Sequence, residues 1–141
     1  MNAARFLDLV RHERFFSDQM VHVRTLPGRP AVFGEVAGGL HPVVRRILAG
    51  QGIERLYSHQ AKAIDTIRAG NGVVIVTGTA SGKTLCYTIP VVEKLLSEPQ
   101  ATMLFVYPTK ALAQDQLRAL GAFQDGGAEP GFMSGTYDGD T

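Results

Sequence analysis

Apolar residues follow two rhythms along this chain, one of helical spacing and one of short continuous runs. Phe6, Leu7, Leu9, Val10 and Phe15 alternate with Arg5, Asp8, Arg11, Glu13 and Arg14, which predicts an amphipathic helix within residues 1–16, docked on its own protein. Val21-His22-Val23-Arg24 reads as a short strand or an extended piece, and Pro27-Gly28-Arg29-Pro30, Gly34 and Gly38-Gly39 as an irregular linker. Pro42 suits the first turn of a helix reaching Leu48 or Ala49, with Gly50 as its stop. Ser58 is the expected N-cap of a helix lined by Ala61, Ile64 and Ile67 and ended by Gly70-Asn71-Gly72. Three strands are then expected, at residues 73–76, 102–107 and 132–137. Between the first two, Leu85, Cys86, Ile89, Val92, Leu95 and Leu96 predict a helix kinked at Pro90. Between the last two, Thr109 caps a helix with Leu112, Leu117 and Leu120 inward and Gly121 as stop.

Strand, helix, strand, helix, strand is the plan of an α/β fold with a doubly wound parallel sheet. Ligands in such sheets bind beyond the carboxyl ends of the strands. Here those ends carry residues 77–84, 108–110 and 136–140, the stretches rich in Gly, Thr and Lys.

Composition narrows the class. The 141 residues are 45% hydrophobic and 19% charged, as in an ordinary globular domain, and the formal net charge is +1. No global basic field marks a nucleic-acid binder, although a local groove needs none. A single cysteine, Cys86, excludes an internal disulfide framework and is expected to be buried and inert. His12, His22 and His41 show no metal-ligand spacing. Without a signal-like apolar stretch the default is a cytoplasmic protein that does not engage a membrane.

The chemistry concentrates in Thr77-Gly78-Thr79-Ala80-Ser81-Gly82-Lys83-Thr84, which follows the strand 73–76 and opens a helix. A small-residue loop of this kind turns its backbone N–H groups onto phosphate oxygens, and the helix N-terminus favours the same anion. Lys83 is placed for the β and γ phosphates of ATP, and the Thr84 hydroxyl for Mg²⁺. Thr77 stands where the strict phosphate-loop pattern has its first glycine.

With these residues stand Leu56-Tyr57-Ser58-His59-Gln60, Tyr107-Pro108-Thr109-Lys110-Ala111-Leu112-Ala113-Gln114-Asp115-Gln116 and Gly135-Thr136-Tyr137-Asp138-Gly139-Asp140-Thr141. In order, the four stretches resemble motifs Q, I, Ia and Ib of superfamily 2 DEAD/DEAH-box helicases, in wording similar to the bacterial mitomycin-repair, large-helicase-related branch. The resemblance implies a RecA-like domain, here its first part at residues 40–141, preceded by an extension at 1–39. It implies that Gln60 reads the adenine edge, which its amide suits by both donating and accepting, and that Tyr57 packs beside the base, the alternative being a core tyrosine. Pro108, Thr109, Lys110 and Gln114, with Tyr137 and Gly139, would grip a single-stranded or partly duplex nucleic acid, DNA by family wording. Asp138 and Asp140 cannot themselves attract phosphates.

The departures are specific. Many DEAD-box proteins have Gly where Ala80 stands, and alanine at positive φ would add strain of about 1 kcal/mol. The aromatic residue that many place ahead of motif Q is not evident, Val43 lying near its expected position. No Asp-Glu-x-His or Asp-Glu-x-Asp follows, so the chain reads as the amino-terminal part of a longer ATP-dependent helicase, inactive alone. The alternatives are a non-catalytic nucleotide- or nucleic-acid-binding fragment, and another P-loop NTPase such as a small-molecule kinase or transporter ATPase. Neither an acceptor lid nor a transporter signature is visible for the last of these.

Overall fold

The computed structural model describes residues 2–16, 19–28, 30–126 and 131–139. The chain divides into two compact units, Met1–Pro30 and Ala31–Thr141. In the first, helix α1 (Ala3–His12) is capped by the Asn2 side chain, which accepts from Arg5 N, and a 3-10 turn follows at Arg14–Phe16. Within this unit helix α1 carries Phe6, Leu9 and Val10 among Arg5, Asp8 and Arg11, the amphipathic pattern expected. Residues 21–24 form no strand.

The second unit begins with β1 (Phe33–Gly34), which pairs antiparallel with β2 (Leu56–Tyr57) and so draws residues of the expected linker into it. Gly34 permits this approach, since a Cβ there would lie 3.0 Å from the Ser58 Cα. Helix α2 (Pro42–Gly50) starts on Pro42 as expected but includes Gly50, with Gln51 as its C-cap. Gly52, at φ +74°, is the left-handed residue. Gly52 N donates to Ala49 O and Ile53 N to Leu48 O, a paired closure of the last turn.

Helix α3 (Ser58–Arg68) closes the same way through Gly70 and Asn71. Its N-cap is Tyr57, with Ser58 already helical. Helix α4 (Lys83–Ser97) runs unbroken through Pro90. Helix α5 (Lys110–Asp125) passes the expected stop at Gly121, because the next turn carries Phe123 into the core. Leu112, expected inward, is exposed.

Val44, Ile47, Leu48, Ile64, Ile89, Val92 and Phe123 make a contiguous core among α2, α3, α4 and α5. Residues 73–77 and 103–107 are extended and alternate, with Ile75, Thr77, Met103, Phe105 and Tyr107 partly covered. Their other face is bare: Val74 and Val76 are 89% exposed and Leu104 88%. The expected strands at 73–76, 102–107 and 132–137 are not paired in a ladder among the described residues, where β1–β2 is the only sheet. A cavity of about 810 Å³ is lined by 101–110, 131–138 and residues of α4 and α5. No helix among the described residues is long and apolar enough to cross a membrane.

Candidate nucleotide site and nucleic-acid interface

Residues 77–84 connect the first extended stretch to α4 by a loop that needs left-handed backbone at two positions. Gly82, the N-cap of α4, has φ +72°, and Ala80 has φ +55°. The strain expected at Ala80 is thus present, of order 1 kcal/mol. At Gly82 a side chain would be strained by the positive φ, and an added Cβ, 2.5 Å from Gln60 Nε2, would also push the Gln60 amide aside.

The first turn of α3 holds this loop from one side. Gln60 Nε2 donates to Gly82 O at 2.8 Å, and His59 Nε2 lies 3.0 Å from Ser81 O. Because a carbonyl only accepts, His59 carries its proton on Nε2. Gln60 Oε1 accepts from Tyr57 N at 2.8 Å, which closes the helix start. Both ends of the Gln60 amide are therefore engaged within the protein, and the side chain is buried.

Lys83 folds back over the loop. Its Nζ donates to Gly78 O at 2.6 Å and Thr77 O at 3.2 Å, with Thr77 Oγ1 at 3.3 Å and Ser81 Oγ at 3.4 Å. Thr77 Oγ1 and Ser81 Oγ are hydrogen-bonded at 2.6 Å. All these partners are neutral oxygens, so the ammonium charge is solvated but not balanced. This donor set fits a phosphate, whose oxygens bring the missing negative charge. Thr84 lies in the first turn of α4, partly exposed, and Thr79 is exposed at the turn. Behind them Cys86 is fully buried, and burial pushes its thiol pKa up against the lowering effect of Lys83.

A row of flat groups extends from His59. Its ring stacks on Tyr57 (centroids 5.7 Å apart), Tyr57 stacks on Phe33 (5.5 Å), and the Arg55 guanidinium lies 4.1 Å over Phe33. Phe33, Arg55 and His59 were not singled out from sequence. His59 carries the better signal, being next to Gln60. Phe33 is reached through a two-residue strand too short for any periodicity, and Val43 packs against the core instead.

The second set of expected residues gathers at the start of α5. The Thr109 hydroxyl accepts from Leu112 N at 3.3 Å, which leaves its own O–H able to donate. Gln114 Nε2 donates to Thr136 Oγ1 at 3.1 Å, and Lys110 Nζ lies 3.6 Å from Asp138 Oδ1. Pro108 and Gly139 are exposed beside them, as is Tyr137. Asp140 and Thr141 lie outside the described residues.

Comparison with known proteins agrees with these motifs. Residues 57–140 match the DEAD/DEAH box helicase family model. The chain is 37% identical, over 97% of its length, to the ATP-dependent helicase HRQ1 of Saccharomyces cerevisiae, of which it spans 12%. It is 44% identical over 70% of its length to the uncharacterized ATP-dependent helicase YprA of Bacillus subtilis, spanning 13% of that protein. A crystal structure of the DUF1998 helicase MrfA bound to DNA and AMPPNP superposes with a TM-score of 0.76 at 38% identity, over 82% of this chain and 16% of that one. That likeness gives the second unit a helicase-type, RecA-like α/β fold of which the described residues form part. The matched residues include the loop 77–84, the first turn of α3 and the start of α5, and the chain belongs to the DEAD/DEAH box helicase family.

Proposed function

We propose that this chain forms the nucleotide-binding and strand-contacting part of an ATP-dependent DNA helicase. The observation that carries the reading is the Lys83 ammonium held in the loop by neutral oxygens alone, with Gln60 and His59 fixing the loop's backbone. ATP with Mg²⁺ supplies a phosphoanhydride whose hydrolysis drives movement along a strand. Lys83 turns from Gly78 O and Thr77 O to phosphate oxygens. The N–H groups of residues 79–84 and the N-terminus of α4 face the same charge. Thr84 offers its hydroxyl to the metal. Gln60 exchanges Gly82 O for the adenine edge, and Tyr57, carried on Phe33 and Arg55, supplies a flat surface beside the base.

Pro108, Thr109, Lys110, Gln114, Tyr137 and Gly139 contact the strand backbone. The support is their assembly at one end of α5, together with the likeness to a helicase whose crystal structure contains DNA. The exposed face of 73–77 and 102–107 lies against further strands and helices of a complete parallel sheet. Residues 1–39 then form an extension ahead of the ATP-binding domain. A cytoplasmic setting goes with this reading.

Titration with ATP and GTP tests the site. The protein should prefer ATP, and Gln60→Ala should weaken ATP more than it weakens pyrophosphate. Equal losses for both would contradict an adenine contact.

A further inference from the structure

Lys110 opens α5 and Gln114 lies one turn further on, so the two side chains share a face. Across from them Thr136 and Asp138 are two apart on an extended stretch and also share a face, with Tyr137 turned outward and 93% exposed. The spacings match, about 6 Å along each element. Two cross-links therefore form side by side: Gln114 to Thr136 at 3.1 Å, and Lys110 to Asp138 at 3.6 Å. The Asp138 side chain is 26% exposed and that of Lys110 52%, so the carboxylate is held inward against the lysine while the lysine stays open to solvent.

We infer that Asp138 is a built-in counter-ion for Lys110, with which a nucleic-acid phosphate competes. This rests on the strand-binding reading of α5. An acidic residue on such a surface repels a polyanion unless a cation neutralises it, and here the neutralising cation is the one expected to meet phosphate. The pair lowers the attraction of the unbound surface for any anion, and a strand phosphate that meets Lys110 competes with the carboxylate. Asp138 is thus a positioning residue that sets affinity and salt dependence without touching the strand.

The test is binding of a fluorescent oligothymidylate to the full chain over a salt series. Asp138→Asn should tighten binding about threefold at low salt, the scale of an exposed ion pair. The gain should shrink as salt rises, because salt screens an exposed ion pair. Asp138→Ser should do the same with a different side chain, and adding Lys110→Ala to Asp138→Asn should abolish the gain. Unchanged or weaker binding by both Asp138 variants, with wild-type binding intact, would overturn the inference. Absence of wild-type binding at every salt concentration would instead overturn the strand-binding reading, and the counter-ion role with it.

Discussion

The Gln60 amide donates to Gly82 O and accepts from Tyr57 N, so it serves as helix cap and loop anchor before any base is present. The resemblance to motif Q marks Gln60 as an adenine reader, and the structure adds a buried anchoring role that the sequence did not show. The reason is that Gly82 is 22 positions away, and only the folded loop brings its carbonyl to the first turn of α3. Lys83 and Ala80 were more legible, because loop, cap and helix follow one another directly in sequence. Tyr107 supports a prediction at this scale. Burial first, and then the neighbouring Tyr87, pushes its phenol up to about 12 from an ordinary 10.0. The folded value lies above the unfolded one, so its contribution to stability is complete below pH 10 and is lost as pH rises towards 12. Titration by phenolate absorbance should show one tyrosine ionising late in the folded protein and normally after denaturation. Simultaneous ionisation of all tyrosines in the folded protein would contradict this.

Among elements, α3 and α4 form a frame that fixes both the loop and the approach to α2. Arg68 of α3 pairs with Glu93 of α4 at 2.7 Å and also donates to Ala37 O and Gly39 O, while Glu93 accepts from His41 N. The stretch 37–41 is thereby tied to both helices. Arg68→Ala should cost about 2 kcal/mol, since it leaves a largely buried carboxylate without its cation. Chemical denaturation would read this, and a change within error of zero would show the pair to be dispensable. The helices themselves were legible because apolar spacing and capping residues are local signals. Their ends were less so. Gly50 and Gly121 looked like stops, but Gly52 supplies the left-handed turn and Phe123 draws α5 onward into the core. The β1–β2 ribbon left no periodic trace.

For the whole second unit, one layer of helices backs extended stretches whose far side is bare. The runs at 73–76 and 102–107 read as strands, with apolar residues in both registers. In the structure one register meets the helices and the other, Val74, Val76, Leu104 and Val106, meets solvent. The apolar content was legible, but strand pairing depends on partners far away in sequence or outside these residues. Hydrogen exchange makes this measurable. Amides of 73–77 and 102–107 should exchange rapidly in the 141-residue chain and be protected in a protein extended to the length of its relatives. Equal protection in both would mean that no further sheet completes this face.

The most direct test of the central claim is strand-stimulated ATP hydrolysis by that extended protein, with and without Lys83→Ala. The phosphate-loop assignment predicts that single-stranded DNA stimulates the wild type and that the substitution lowers turnover by at least about a hundredfold, as loss of a principal phosphate-stabilising charge should. Turnover retained by the purified variant would contradict the role of Lys83 and the nucleotide site built around it.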